Sequence, residues 1–178
     1  MPNWVFNNVW VEGDPKLIAE LKAKASKPEN LISGGTFERP LSFSNFVSPS
    51  PEVDYKANWY EWRVANWGTK WEAHECEITH ESDTLVDYKF DTAWGQPLEF
   101  FQALVAQYPK LDFQFEWEEE QGWGGEAVGE AGVFSITKEW DIPESHAEHV
   151  ALDKEYSCNC AFTDEPEIWF DDCPRAVA

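Results

Sequence analysis

An α+β sandwich, in which two helices back one face of a mostly antiparallel sheet, is the fold class this sequence predicts. Three observations carry it. Segments of apolar–polar alternation flank two segments of helical periodicity, in the order strand, helix, strand, strand, helix, strand, strand. The chain is 43% apolar and 16% aromatic over 178 residues, enough for one domain with a real core. No apolar run approaches the roughly 20 residues that a membrane helix needs.

Residues 4–12 read as a strand with apolar residues on both faces, which predicts a central position. Gly13 ends it. Asp14 is suited to cap a helix and Pro15 to its first position. Leu17, Ile18, Leu21 and Ala25 then form a helical stripe over 15–26. Residues 28–71 form a long excursion, rich at first in Ser, Pro, Gly and Asn. A short strand is predicted within 36–46, anchored by Phe37, Leu41, Phe43 and Phe46, and a helix over 58–66 that Gly68 breaks. This excursion is expected to cover part of the sheet face that carries no helices.

Residues 72–80 and 84–94 read as paired strands. Val86, Tyr88, Phe90 and Trp94 are expected to point one way, and Asp87, Lys89 and Asp91 the other. A second helix is predicted over 98–108. In the strand at 111–119, Leu111, Phe113, Phe115 and Trp117 alternate with Asp112, Gln114, Glu116 and Glu118. Gly122, Gly124 and Gly125 read as a turn before a last strand at 131–140. The order is the ferredoxin-like split β-α-β plan with one extra strand. The predicted domain covers 1–140. An acidic extension, 141–178, opens on a short helix at 143–152 and is expected to dock on the body.

Thirty-four acidic residues against 13 basic give a net charge of −21. Residues 1–50 are neutral, 51–110 carry −6, and 111–178, with 18 acids against 3 bases, carry −15. Such a chain repels nucleic acid and anionic membranes, whose binding depends on Lys and Arg. It favours basic partners. Glu116, Glu118, Glu119, Glu120, Glu126 and Glu130 are the candidate partner-binding residues. The N-terminus lacks a basic flank and an apolar core, so no secretory signal is expected.

The densest segment is 59–71, with four tryptophans, a tyrosine, Arg63, Asn66 and Lys70. As a ligand site, Trp59, Trp62 and Trp67 would stack a planar or cationic group, Arg63 and Lys70 would hold an anion, and Asn66 would add a hydrogen bond. As structure, the same rings would pack the sheet's second face, with Gly68-Thr69 as a turn and Arg63 and Lys70 paired to carboxylates such as Glu61 and Glu72. Cys158, Cys160 and Cys173, with His146 or His149, resemble a zinc set but lack its usual spacing. His74, Cys76 and His80 fall at even spacing on one predicted strand. Neither set is read as a site, and no metal or cofactor is expected. No Ser-His-Asp order, phosphate-binding loop or metalloprotease motif occurs, so no catalytic residue is assigned.

Met1-Pro2-Asn3-Trp4-Val5, Trp59…Asn66-Trp67-Gly68-Thr69-Lys70-Trp71, Phe90-Asp91-Thr92-Ala93-Trp94 with Pro97, and the acidic-glycine segment 118–125 occur in that order. Over residues 1–140 the chain resembles the YubB-type ferredoxin-like-domain proteins of bacteriophages and plasmids. The resemblance implies a non-enzymatic accessory protein, with no iron–sulfur cluster and no established catalytic residues to carry over. With the charge, it leads to an expectation: a monomer or weak homodimer in the host cytoplasm that binds a basic host protein, inhibiting it through a nucleic-acid-mimicking acidic face. The alternative is a small-ligand module built on 59–71.

Overall fold

The structure, a computed structural model, describes residues 3–30, 36–51 and 54–152. It bears out the α+β class. A six-stranded antiparallel sheet runs β4-β5-β1-β6-β7-β8, with β1 Trp4–Glu12, β4 His74–Glu81, β5 Leu85–Ala93, β6 Asp112–Glu119, β7 Gly124–Glu130 and β8 Val133–Trp140. Two two-residue strands, β2 (Glu29–Asn30) and β3 (Thr36–Phe37), pair separately. The helices are α1 Pro15–Ala25, α2 Tyr55–Trp67, α3 Leu98–Gln107 and α4 His146–Leu152. β6-β1-β5-β4 with α1 and α3 is the ferredoxin-like unit, and β7 and β8 extend it beyond β6.

Register separates two faces. Val5, Asn7, Val9 and Val11 stand opposite Thr92, Phe90, Tyr88 and Val86 on one side and Glu119, Trp117, Phe115 and Phe113 on the other. This face is fully buried and carries the helices: Phe101 of α3 stacks on Phe115 at 4.3 Å. Lys24 of α1 donates to Gln107 of α3 at 2.8 Å, which sets the helices side by side. Asp14 caps α1 by accepting from Lys16 N at 2.9 Å, with Pro15 in the first turn as the sequence predicts. The second face carries Trp4, Phe6, Asn8 and Trp10 on β1, with Asp87, Lys89 and Asp91 beside them on β5.

Among the described residues of the excursion, Trp71 alone is seen to reach the second face, where its ring meets Trp4. The aromatic anchors of the excursion pack on the helix side. Phe43 stacks on Phe100 of α3 at 4.1 Å and meets Phe90 and Trp67 edge-on at 5.6 and 5.7 Å. The reason is shape: α1 and α3 leave a gap over the β5 end of the sheet, and Leu41, Phe43 and Trp67 fill it, each no more than 1% exposed. The short strand expected within 36–46 is present as β3, and residues 43–45 form a 3-10 turn. The Glu72 carboxylate holds it, accepting from Phe43 N at 2.7 Å and Ser44 N at 3.0 Å.

Two further differences concern β7 and Trp94. The sheet gains two strands beyond the unit, because 124–130, expected as a turn, is β7. Its glycines make room: a Cβ on Gly125 would overlap the Trp117 ring, and one on Gly129 would overlap Val105. Trp94 does not continue the inward row of β5. Its φ of 73° swings it out to 57% exposure.

The sheet ends at Trp140, where the predicted domain ends. The expected short helix is present as α4, and the extension beyond Leu152, with its three cysteines, lies outside the described residues. Among the described residues no helix is long and apolar enough to cross a membrane.

If Phe43 is core rather than loop, Phe43→Ala should lower unfolding free energy by about 3–5 kcal/mol. Urea denaturation checks this; a change within about 0.5 kcal/mol is what a surface position would give.

Candidate functional site: an aromatic corner beside an acidic sheet face

α2 begins at Asp54, which accepts from Ala57 N at 3.3 Å, and ends at Gly68 in the left-handed conformation, φ 84°. That ending turns the Asn66–Trp71 string back toward β5. Trp67 is inward and 1% exposed, and its indole N–H donates to Val47 O at 2.9 Å. Trp62 is half-buried and meets Trp67 edge-on at 5.7 Å. Asn66 donates to Trp62 O at 2.8 Å within its own helix. The Arg63 guanidinium lies over Trp67 at 4.8 Å and Trp59 at 5.6 Å, and donates to the Tyr55 hydroxyl and, at 3.2 Å, to Lys70 O.

Trp62, Arg63, Asn66 and Trp67 are therefore committed to holding α2 and its turn together, which corrects the ligand site read from sequence. Trp59 remains exposed and edge-on to Tyr60. Lys70 is the member that faces outward. Its ammonium lies 4.0 Å from the Trp71 ring centre and 5.3 Å from that of Trp94. Thr69 pins this loop to β5 by donating to Ala93 O at 3.1 Å. Tyr60, Val64, Lys70 and Trp94 line a recess of about 180 Å³. Sequence reasoning missed Tyr60, Val64 and Trp94. The i, i+4 spacing of Tyr60 and Val64 was the available signal; the reversal at Trp94 left none.

The corner continues onto the second face. The Trp4 ring stands 6.2 Å from Trp71 and stacks on the His74 imidazole at 4.6 Å, with planes 23° apart. His74 is opposite Asp91 in the sheet. A register shift follows between His74 and Glu77, and Glu75 adopts φ 46°. One ligand-capable atom from each of His74, Glu75 and Asp91 lies within 4.8 Å of the others. Burial, then the nearby Glu75 carboxylate, push the Asp91 carboxyl up to about 6, with Glu120 adding to the rise; His74 and Lys89 oppose it. The same shift breaks the even row expected of β4. Cys76 turns to the core side, where burial lifts its thiol to about 12, while His80 faces Asp87 at 3.4 Å.

The acidic candidates divide. Glu116 and Glu126 are neighbours across β6 and β7 on the second face, both half-buried. Glu118 shares that face but is only 7% exposed, between Phe6 and Gly124. Glu119 points to the helix side, 2% exposed, and its carboxylate accepts from Gln121 N at 2.7 Å to close the hairpin. Neither buried carboxylate can meet a partner surface, which corrects the sequence reading. Glu120 and Glu130 are exposed but sit at opposite ends of the β6–β7 pair. Glu77, Asp91 and Asp112 add accessible carboxylates to the face, against Lys89 and Lys138.

A split β-α-β unit with an all-antiparallel sheet defines the ferredoxin-like class. The chain belongs to the family described as "Ferredoxin-like domain in Api92-like protein", which it matches over residues 66–162. The match opens on the Asn66–Trp71 string, starts later than the expected resemblance and continues past residue 140 into the extension. In three dimensions the chain is similar to the crystal structure of protein api92 from Yersinia pseudotuberculosis, with a TM-score of 0.55 and 9% identity, over 80% of this chain and 99% of that one. At that identity the likeness shows the fold alone. No curated protein sequence matches.

The raised Asp91 carboxyl makes a signed prediction. An unfolded aspartate releases its proton near 3.8, the folded one near 6. Ionised Asp91 therefore costs stability above about pH 6, and the cost fades as pH falls toward 4. Asp91→Asn should melt a few degrees above wild type at pH 7.5 and together with it at pH 4. Parallel thermal melts across that range test it.

Proposed function

We propose that this chain is a non-enzymatic accessory protein of a bacteriophage or other mobile element, acting in the host cytoplasm by binding a host protein with a basic surface. The observation that carries the reading is the second sheet face. Glu77, Asp91, Asp112, Glu116 and Glu126 project from four of its strands. The accessible carboxylates of β6, Asp112 and Glu116, stand four positions and about 14 Å apart, and with Glu126 beside Glu116 they form a spaced row on a rigid support. A basic groove that normally holds a nucleic-acid backbone suits such a row, and the rest of the chain's charge would speed encounter. The resemblance to mobile-element proteins supports the setting.

A second reading is favoured by Lys70 alone. An ammonium flanked by two exposed tryptophans, beside a recess of about 180 Å³, suits a small planar anion. Tryptophan fluorescence titrated with aromatic carboxylates, in wild type and Lys70→Met, distinguishes it.

The principal reading predicts that wild-type protein immobilised in bacterial lysate retains a basic protein and releases it as salt is raised. Glu116→Lys/Glu126→Lys should lose that protein, while Glu130→Lys, at the far end of β7, should keep it. Equal retention by the double variant would overturn the acidic-face reading.

A further inference from the structure

We propose that His74, Glu75 and Asp91 form a binding site for a divalent transition metal of the zinc class, with at least one coordination position left to water or an outside donor. The sequence reading expected no metal, and its even-spaced row of His74, Cys76 and His80 is not the set the fold assembles.

In a regular strand, side chains 74 and 75 would point to opposite faces. The irregularity between His74 and Glu77 cancels that alternation, so both reach Asp91, the cross-strand neighbour of His74. Ligand-capable atoms of the three residues lie within 4.8 Å of one another, within the reach of rotamer adjustment onto one ion. The Trp4 ring, stacked at 4.6 Å, holds the imidazole plane in place.

Two costs are paid for the arrangement. Glu75 holds a left-handed φ of 46° that non-glycine residues rarely adopt. It also brings a second carboxylate beside that of Asp91, so two like charges share one space. Lys89, two positions along β5, is a cation on the same face. A bound dication would remove the repulsion and would use the strained residue as a ligand. One imidazole with two carboxylates is a mixed nitrogen–oxygen set. It suits zinc over magnesium or calcium, which prefer all-oxygen cages. His74 and Glu75 are exposed and Asp91 half-buried, so an ion has a path in.

The test must separate this site from the cysteines of the extension. Isothermal titration of the full chain with Zn²⁺ should show binding at one ion per chain. Binding should survive Cys158→Ser/Cys160→Ser/Cys173→Ser and weaken about tenfold or more in His74→Ala and in Asp91→Asn. Co²⁺ bound to the triple-serine variant should show visible absorption without a thiolate charge-transfer band, and Asp91→Asn should lose it. Asp91→Asn is nearly isosteric, and far-UV circular dichroism confirms its fold. Glu75→Gly gives a second readout: the metal-free variant should melt at or above wild type, because glycine accepts the backbone conformation, yet gain nothing from Zn²⁺. Failure of the full chain to bind, binding lost with the cysteines but kept in Asp91→Asn, or preference for Mg²⁺ over Zn²⁺ would each overturn the assignment. None of these results depends on whether the acidic face binds a host protein.

Discussion

β1 is hydrogen-bonded along both edges, to β5 and β6, which makes it the inner strand of the ferredoxin-like unit. At its centre sits a buried amide. Asn7 donates to Val5 O at 2.8 Å, to Phe90 O at 3.3 Å and to Thr92 Oγ1 at 3.0 Å. Thr92 in turn donates to Gly95 O at 2.8 Å. A buried polar group without partners costs about 1–3 kcal/mol, so this network admits one register between β1 and the end of β5. A slip of one residue would strand the amide and invert both faces. The same network fixes the 94–97 turn. That turn throws Trp94 outward and starts α3 where Phe100 and Phe101 can enter the core. The exposed corner is therefore set from inside the sheet.

The excursion shows how a long polar segment becomes part of a core. Its aromatic residues are sparse, but they are spaced so that Phe43 reaches between α3 and β5 while Trp67 arrives from the end of α2. Each needs the other: the rings meet edge-on at 5.7 Å, an arrangement favoured over face-to-face stacking. Glu72 is the polar counterpart, taking up the free amides of the 3-10 turn. The 59–71 cluster is thus divided between two tasks. Trp62, Arg63, Asn66 and Trp67 fasten the excursion, and Lys70, Trp71 and Trp59 remain at the surface.

Most of the secondary structure was legible in the sequence, because alternation and helical spacing are local. β1, α1, β5, α3 and β6 stand within a residue or two of their predicted limits, and the ferredoxin-like order follows from them. Four features were not legible, each for a reason that the local pattern does not carry. β7 was hidden because glycine argues against a strand unless a ring from the neighbouring strand needs the space, and that ring, Trp117, lies eight residues away from Gly125. The side on which the excursion packs depends on a gap that exists only once α1 and α3 are in place. The inward turn of Glu119 and the burial of Glu118 follow from a hairpin and a cross-strand phenylalanine; charge alone predicted exposure for both. The His74–Glu75–Asp91 group rests on a bulge, which no residue pattern in 72–80 announces.

The sheet's two edges bear on how it can be used. An open edge offers unpaired amides and carbonyls to any passing strand. β4, at one edge, is interrupted twice by register shifts and carries Glu75, Glu77, His80 and Glu81. β8, at the other, is shifted opposite Glu126/Ala127 and carries Lys138 and Glu139. Bulges and charges are the devices by which sheets resist edge pairing. Strand addition is therefore the recognition mode this architecture disfavours, for a partner and for a second copy alike. What the sheet offers is its second face and the aromatic corner that borders it. They share Trp4: its ring stands beside Trp71 on one side and on His74 on the other, so an event at the carboxylates of β4 and β5 reaches the tryptophans through a single side chain.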